Sequence, residues 1–439
     1  MADIDLGKAF ARLESATPRR ESGRVTEVTG LVIRASVPGV RIGEIVEIGG
    51  ARAEAPPLRA EVVGFRGDEI VLMPLGEATG IGPDSLVTPT SRPFSIAVSD
   101  RLLGRVLDGL GQPIDGAGPI AGGREWAVDR AAPDPLSRPR VSQPLPLGVR
   151  VLDGLLTVGE GQRVGIFAGS GVGKSTLMGQ IARQTEADVN VIALVGERGR
   201  EVVDFLEESL GPAGRARSVV VCATSDAPSL VRLKAAFVAT AVAEYFRDQG
   251  RRVLFMLDSI TRVARAQREV GLAAGEPPAR QGYPPSVFAL LPRLLERTGT
   301  NARGSITALY TVLVAGGDME EPIADEVRGI LDGHVVLSRD IAARNQWPAV
   351  DVLPSLSRLM NAVADAEHRA AAQRLRELLA AYERQRDLIL LGAYQRGADP
   401  LTDRAIAAMD AITAFLRQRT DERAPFDETK ARLRALVAN

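Results

Sequence analysis

At 439 residues the chain is long enough for two or three domains and a large hydrophobic core. Its 54 Lys and Arg nearly cancel 55 Asp and Glu, for a net charge of −1, which argues against a dedicated nucleic-acid binder while leaving room for a local basic stripe. No apolar run approaches the roughly 18 residues a spanning helix needs, the opening MADIDLGKAFARLESA has no charged-then-apolar leader pattern, and the single Cys222 excludes an internal disulfide. The expectation is a soluble cytosolic protein with Cys222 as a small buried hydrophobe.

In chain order, residues 1–22 read as a docking segment, flexible or amphipathic-helical, with Ile4, Phe10 and Leu13 on one side. Residues 23–93 are short β-branched runs broken by Gly and Pro, among them GRVTEVTG, LVIRASVP, EIVEIG and LRAEVVGFRGDEIVLMPLG, and they predict a small β-barrel. These strands carry few aromatics for base stacking, so a structural or ring-forming role is favoured over oligonucleotide binding. After an alternating stretch over 94–131, Pro133, Pro135, Pro139, Pro144 and Pro146 mark an extended crossing segment. Strand-like runs and helices then alternate. VNVIALVG (189–196), SVVVCATS (218–225), VLFMLDS (253–259), SITALYTVLV (305–314) and HVVLSR (334–339) are the strand candidates, with a helix from about Ser229 to Asp248. This alternation predicts a doubly wound parallel sheet within a domain of residues 94–365. Residues 366–439 are rich in Ala, Leu, Arg and Glu. They predict a helical domain with stripes Leu375/Leu378/Leu379/Tyr382 and Ile406/Met409/Ile412/Leu416, and a last helix capped by Asp427 with Leu433 and Leu436 inward.

The chemistry centres on GIFAGSGVGKST, Gly165 to Thr176. An apolar strand enters the turn Ala168, Gly169, Ser170, Gly171, Val172, Gly173, and a helix starts at Lys174, Ser175 and Thr176. Glycines let backbone N–H groups turn inward around a phosphate, and the helix start adds its dipole. Lys174 suits the β- and γ-phosphates, and the Ser175 hydroxyl suits Mg²⁺. The first position of the phosphate-loop pattern is Ala168 rather than Gly, which fits if Ala168 keeps a negative φ. Asp258 ends an apolar strand where ligands bind in open α/β sheets, and is expected to hold Mg²⁺ through water. Glu197, at the end of the second strand, is expected to polarise the attacking water, with Arg198 organising the site and Glu201 reaching the magnesium shell; the alternative is a solvated charged loop. His334 and His368 stand alone and read as structural histidines, with no metal-ligand cluster.

GIFAGSGVGKST, ALVGERGREV, LFMLDSITRVARAQREV, GYPPSVFALLPRLLERTG, GSITALYTVLVAGGDMEEPIADEVRGILDGHVVLSR, PAVDVLPSLSRLM and LLGAYQRGADPLTDRAI together resemble the ATPases of type III secretion systems, a family similar to the catalytic subunits of rotary ATP synthases. LPRLLERTG, MEEPIADEVRGILDGH and AVDVLPSLSRLM resemble the injectisome branch more than the flagellar export ATPase. The resemblance implies a P-loop RecA-like α/β core between an N-terminal small β-barrel and a C-terminal helical domain. It implies Mg²⁺-dependent ATP hydrolysis by a homohexameric ring that detaches chaperones from export substrates and helps unfold them. Glu197 then matches the catalytic glutamate and Arg358 the finger that enters the neighbour's site; Trp347 stands where the family stacks a tyrosine on adenine, the alternative being a core tryptophan, and Tyr394 closes the same pocket. Implied partners are a central stalk protein, a stator or negative regulator at the N-terminus, chaperone–substrate complexes and the export gate, at the cytoplasmic face of the bacterial inner membrane. One departure is the loop Ala315-Gly316-Gly317-Asp318-Met319, which lacks two carboxylates the family usually carries and is expected to weaken contact with a basic stalk. The competing readings are a rotary catalytic subunit, an RNA-translocating hexamer, and a non-catalytic nucleotide-binding scaffold, which would typically lack Glu197.

Overall fold

The computed structural model describes residues 22–49 and 56–438, so the docking segment with Ile4, Phe10 and Leu13 lies outside the described residues. The described chain up to Phe94, with Ala273–Gly275, forms one compact unit, and Ser95–Leu272 with Glu276 onward forms a second.

The first unit is a closed barrel of β1 (Gly23–Thr29), β2 (Val32–Ser36), β3 (Glu44–Gly49), β4 (Leu58–Arg66), β5 (Glu69–Pro74) and β6 (Leu86–Pro93), in the order β1-β2-β5-β4-β3-β6. Val25, Ile33, Val46, Ile48, Val62, Leu72 and Val87 fill its interior, while alternate side chains face outward. Gly30 at φ +58° and Gly67 at φ +62° take the left-handed conformation that the tight β1–β2 and β4–β5 turns require. Closure removes the free edges that short antiparallel strands would otherwise expose. Buried Glu44 is satisfied by the backbone N–H groups of Ser91 at 2.7 Å and Arg41 at 3.1 Å.

In the second unit, β7 (Ser95–Val98) and β9 (Arg124–Ala127) make a small antiparallel pair. The main sheet contains β8 (Val106–Asp108), β10 (Arg163–Ala168), β11 (Val189–Val195), β12 (Ser218–Ala223), β13 (Arg252–Asp258), β14 (Gly299–Thr300), β15 (Ser305–Leu313), β16 (Gly333–Leu337) and β17 (Val350–Ser357). Its order is β17-β16-β10-β15-β13-β11-β12-β8, with β14 appended to β15. β10 to β13, β15, β16 and β8 run parallel, and β17 is antiparallel to β16. The runs VNVIALV and SVVVCA are buried at every residue because helices cover both faces. Three strands of the main sheet escaped the sequence pattern, the shortest being the two-residue β14. β8 is only three residues long, and β17 carries Pro354, which a strand at the edge of the sheet tolerates because no further neighbour needs its N–H.

The C-terminal helices Ala366–Leu390, Pro400–Leu416 and Phe426–Val437 contribute Leu375, Leu378, Ile412, Phe415 and Leu433 to the same hydrophobic core as β10, β11 and the helix Arg150–Leu155. Asp365 and Asp399 cap the first two through their side chains. Asp427 does not cap the third: Pro425 precedes the helix, and Asp427 sits in the first turn, paired with Lys430 at 2.9 Å. His334 and His368 each engage a carbonyl, of Pro354 and Gly154, at 2.8 Å.

One buried ion pair ties the segment just after the helix Pro285–Leu295 to the long helix Ser229–Arg247. Arg297, fully buried, donates to both Glu244 oxygens at 2.8 Å and to the Val128 carbonyl at 2.9 Å. Glu244→Ala leaves the guanidinium without its counter-charge and is expected to cost about 3–5 kcal/mol. A lowered urea midpoint checks this, and an unchanged midpoint would contradict it.

Candidate active site

Parallel register brings the carboxyl ends of neighbouring strands to one edge. Ala168 on β10 lies beside Leu313 and Leu337, and Leu194 on β11 lies beside Asp258 on β13. Ala168 stays a strand residue and is not among the positive-φ positions, so its methyl meets the condition the phosphate-loop pattern sets. Gly171 and Gly173 do take φ +79° and +78°. A Cβ on Gly173 would also lie 2.7 Å from the Trp347 ring. The helix Lys174–Gln184 follows with no side-chain cap, leaving its first N–H groups open to an anion.

Three strand ends supply the charge. The Lys174 ammonium pairs with Asp258 and stands 3.6 Å from Glu197. Thr311 on β15 donates to Asp258 at 2.7 Å. Glu197 also pairs with Arg262 at 2.8 Å, from the helix Ile260–Ala273, and Arg262 donates to the Gly196 carbonyl as well. Glu197 Oε1 is buried and has no hydrogen-bond donor. Burial pushes the Glu197 carboxyl up to about 7; Glu201 and Asp258 add to this, and Lys174 and Arg262 oppose it. Its hydrogen bond with Glu197 holds Glu201 below the usual carboxylate range. Arg198 is placed differently from the sequence expectation. It precedes the helix Gly199–Asp204 with its side chain 81% exposed, and it reaches only Glu201, at 3.4 Å. The arginine that braces Glu197 is Arg262, two helical residues after Ile260. Its signal lay within LDSITR, where helical phase turns the fourth residue after the strand end back toward the β11 loop.

Beside the loop opens a cavity of about 1160 Å³, lined by Gly171, Gly173, Thr176, Trp347 and the strap 417–422. Trp347 is 38% exposed and donates Nε1–H to Asn345 at 3.1 Å, so it is a pocket wall rather than a core residue. Tyr394 is not in this wall. Its hydroxyl is held by the Asp399 carbonyl and the Asp403 carboxylate, each at 3.1 Å. The strap takes that place because the phosphate-loop helix grips its backbone: Arg183 donates to the Thr420 carbonyl at 3.0 Å and Gln184 to that of Glu422 at 2.9 Å. Arg358, at the end of β17, donates its backbone N–H to the Asp332 carbonyl at 3.0 Å and its guanidinium to the Arg328 carbonyl at 3.4 Å. Neither partner belongs to the phosphate loop. Cys222 is buried, which pushes its thiol up to about 11.

Among the described residues no three His, Cys, Asp or Glu side chains converge as a metal cage, and no helix is long and apolar enough to cross a membrane. The donor set at the loop, an exposed Ser175 hydroxyl and the Asp258 carboxylate, suits an ion that keeps nucleotide oxygens and waters as its other ligands.

Known proteins share this arrangement. Residues 148–357 match the nucleotide-binding domain of the ATP synthase alpha/beta family, residues 25–91 its beta-barrel domain, and residues 364–435 the T3SS EscN ATPase C-terminal domain. The chain is 55% identical over 410 residues to a type 3 secretion system ATPase of Xanthomonas euvesicatoria, covering 93% of this chain and 92% of the relative. It is 53% identical over 427 residues to a flagellum-specific ATP synthase of Bacillus subtilis, covering 97% and 98%. It superposes with a TM-score of 0.88 at 46% identity on the assembled ATPase EscN of enteropathogenic E. coli, solved in complex with its central stalk EscO, covering 94% of this chain and all of that one. The phosphate loop, the strand-end carboxylates and these likenesses along nearly the whole chain lead to one conclusion: the chain belongs to the type III secretion ATPase family and is an ATPase built on the ATP synthase alpha/beta fold.

Proposed function

We propose that the chain hydrolyses Mg²⁺-ATP at the Gly169–Thr176 loop to drive type III protein secretion, with Glu197 as the group that activates water. The observation that carries this is the placement of Glu197 Oε1, buried, without a donor and 3.6 Å from the Lys174 ammonium. The glycine-rich loop and the open helix start bind the phosphates, and Lys174 exchanges its carboxylate partners for phosphate oxygens. Ser175 and, through water, Asp258 would hold Mg²⁺, with Glu201 beyond them; bound there, the ion would supply positive charge to neutralise the phosphates. Glu197 Oε1 accepts a proton from the water as its oxygen bonds to the γ-phosphorus and the bond to the ADP oxygen breaks. Trp347 offers its exposed face to adenine.

Arg358 has no partner in its own phosphate loop, which fits a finger offered to a neighbouring subunit's site. We therefore assign a homohexameric ring, supported by the likeness to assembled EscN. The EscO complex supports a central stalk as partner; the loop Ala315–Gly317, which ends at exposed Asp318, offers that stalk little negative charge. The same reading places the ring in the cytoplasm at the inner membrane face, anchored through its N-terminal segment to a stator or negative regulator, stripping chaperones from substrates for the export gate. LPRLLERTG and AVDVLPSLSRLM favour an injectisome. The Bacillus subtilis likeness keeps the flagellar export ATPase as the second reading.

Glu197 must be ionised to accept a proton, and its carboxyl is raised to about 7, so kcat/KM is expected to fall with a single-proton acid limb near that pH. Glu201→Ala removes a group that holds the proton on Glu197, and the limb is expected to move to lower pH. A pH–rate series on both proteins checks this; a profile flat down to about pH 5 would show that another group activates the water. Arg358→Ala is expected to form rings while losing about 10³-fold or more in turnover. Sizing paired with ATPase assays reads this out, and near-normal hydrolysis by the variant would remove the finger assignment.

A further inference from the structure

We propose that Asp332, gripped by Arg163, is a positioning residue that sets where Arg358 stands; this rests on the reading that Arg358 completes a neighbour's site. Arg358 leaves the sheet where β17 ends beside the start of β16, with Ser357 paired to Gly333. Among the described residues its guanidinium makes one long hydrogen bond, 3.4 Å, to the Arg328 carbonyl. Its direction is therefore fixed by its backbone, whose N–H donates to the Asp332 carbonyl at 3.0 Å. Gln162 Nε2 donates to that same carbonyl at 2.9 Å and to Ser357 Oγ at 3.1 Å. The Asp332 carboxylate is in turn anchored by three donors of Arg163: the backbone N–H at 3.0 Å, Nε at 3.1 Å and a terminal nitrogen at 3.3 Å. The other terminal nitrogen of Arg163 reaches Glu296 at 2.5 Å. There is no slack at this corner, since a Cβ on Gly333 would lie 2.6 Å from the Leu356 carbonyl oxygen.

Arg163 is the first residue of β10, and the last residue of β10 opens the phosphate loop. One strand thus carries the phosphates of the subunit's own site at one end and the anchor of its finger at the other.

The test uses full-length rings of Asp332→Asn, with Arg163→Gln as a second route should the first fail to fold. Either variant is expected to assemble, keep its KM for ATP within about threefold and lose about 100-fold in kcat, the size of loss that small misplacement causes. Mixing with Glu197→Gln subunits separates a finger defect from a general one, because those subunits lack turnover but present a normal finger. In equal mixtures about one site in four joins an intact water activator to an intact finger across the heterologous interface. Recovery of activity toward that fraction, for Asp332→Asn as for an Arg358→Ala control, supports the assignment. Recovery with Arg358→Ala but not with Asp332→Asn or Arg163→Gln would overturn it and leave the finger standing. No recovery with Arg358→Ala would overturn the finger itself. Unchanged kcat in both Asp332→Asn and Arg163→Gln would also overturn the proposal.

Discussion

The Lys174 ammonium between Asp258 and Glu197 is the interaction on which the site depends. These residues follow different strands of the same sheet, and only parallel register brings them together at one edge. Two carboxylates so close together and largely buried would repel strongly without a cation between them. Lys174 supplies that cation for both, and Arg262 reinforces it at Glu197. On the proposed reading, incoming phosphates compete for the same ammonium. Binding therefore exchanges one set of charge partners for another at a place where burial makes each of them count.

The surrounding structure keeps this exchange local. Strands buried on both faces give β10, β11 and β13 fixed positions, and the Thr311 hydroxyl fixes Asp258 from the neighbouring strand. On the far side of the loop, the helix that begins at Lys174 holds the strap 417–422 through Arg183 and Gln184. Arg150 extends the same grip, donating to the carbonyls of Phe415 and Arg417 at 2.9 and 2.6 Å. The cavity beside Trp347 is thus walled partly by the C-terminal helical region, which gives that region a direct physical stake in what the phosphate loop binds.

The fold was legible where one local rule dominates. Glycine spacing located the loop, and unbroken apolar runs located five of the strands, with Asp258 and Glu197 at the ends of two of them. What stayed hidden depends on phase or on distant partners. Arg198 and Arg262 look equally available in sequence; the turn of the helix Ile260–Ala273 brings Arg262 to Glu197, while Arg198, in extended backbone before its helix, stays exposed. Tyr394 is drawn to Asp399 and Asp403 by its own loop, and the strap that lines the cavity has no aromatic to announce it. The edge strand β17 is masked by Pro354, and the placement of Ser357 and Arg358 at its end depends on hydrogen bonds to Gln162 and Asp332, which no local pattern announces.

On the proposed reading, Arg358 of a neighbouring subunit finishes each site. ATP hydrolysis per mole of wild-type protein, measured with Mg²⁺ over a wide range of protein concentration alongside sizing, tests it most directly. Specific activity is predicted to rise steeply with concentration and to follow the appearance of the ring. Full activity in dilute samples that contain only monomer would contradict it.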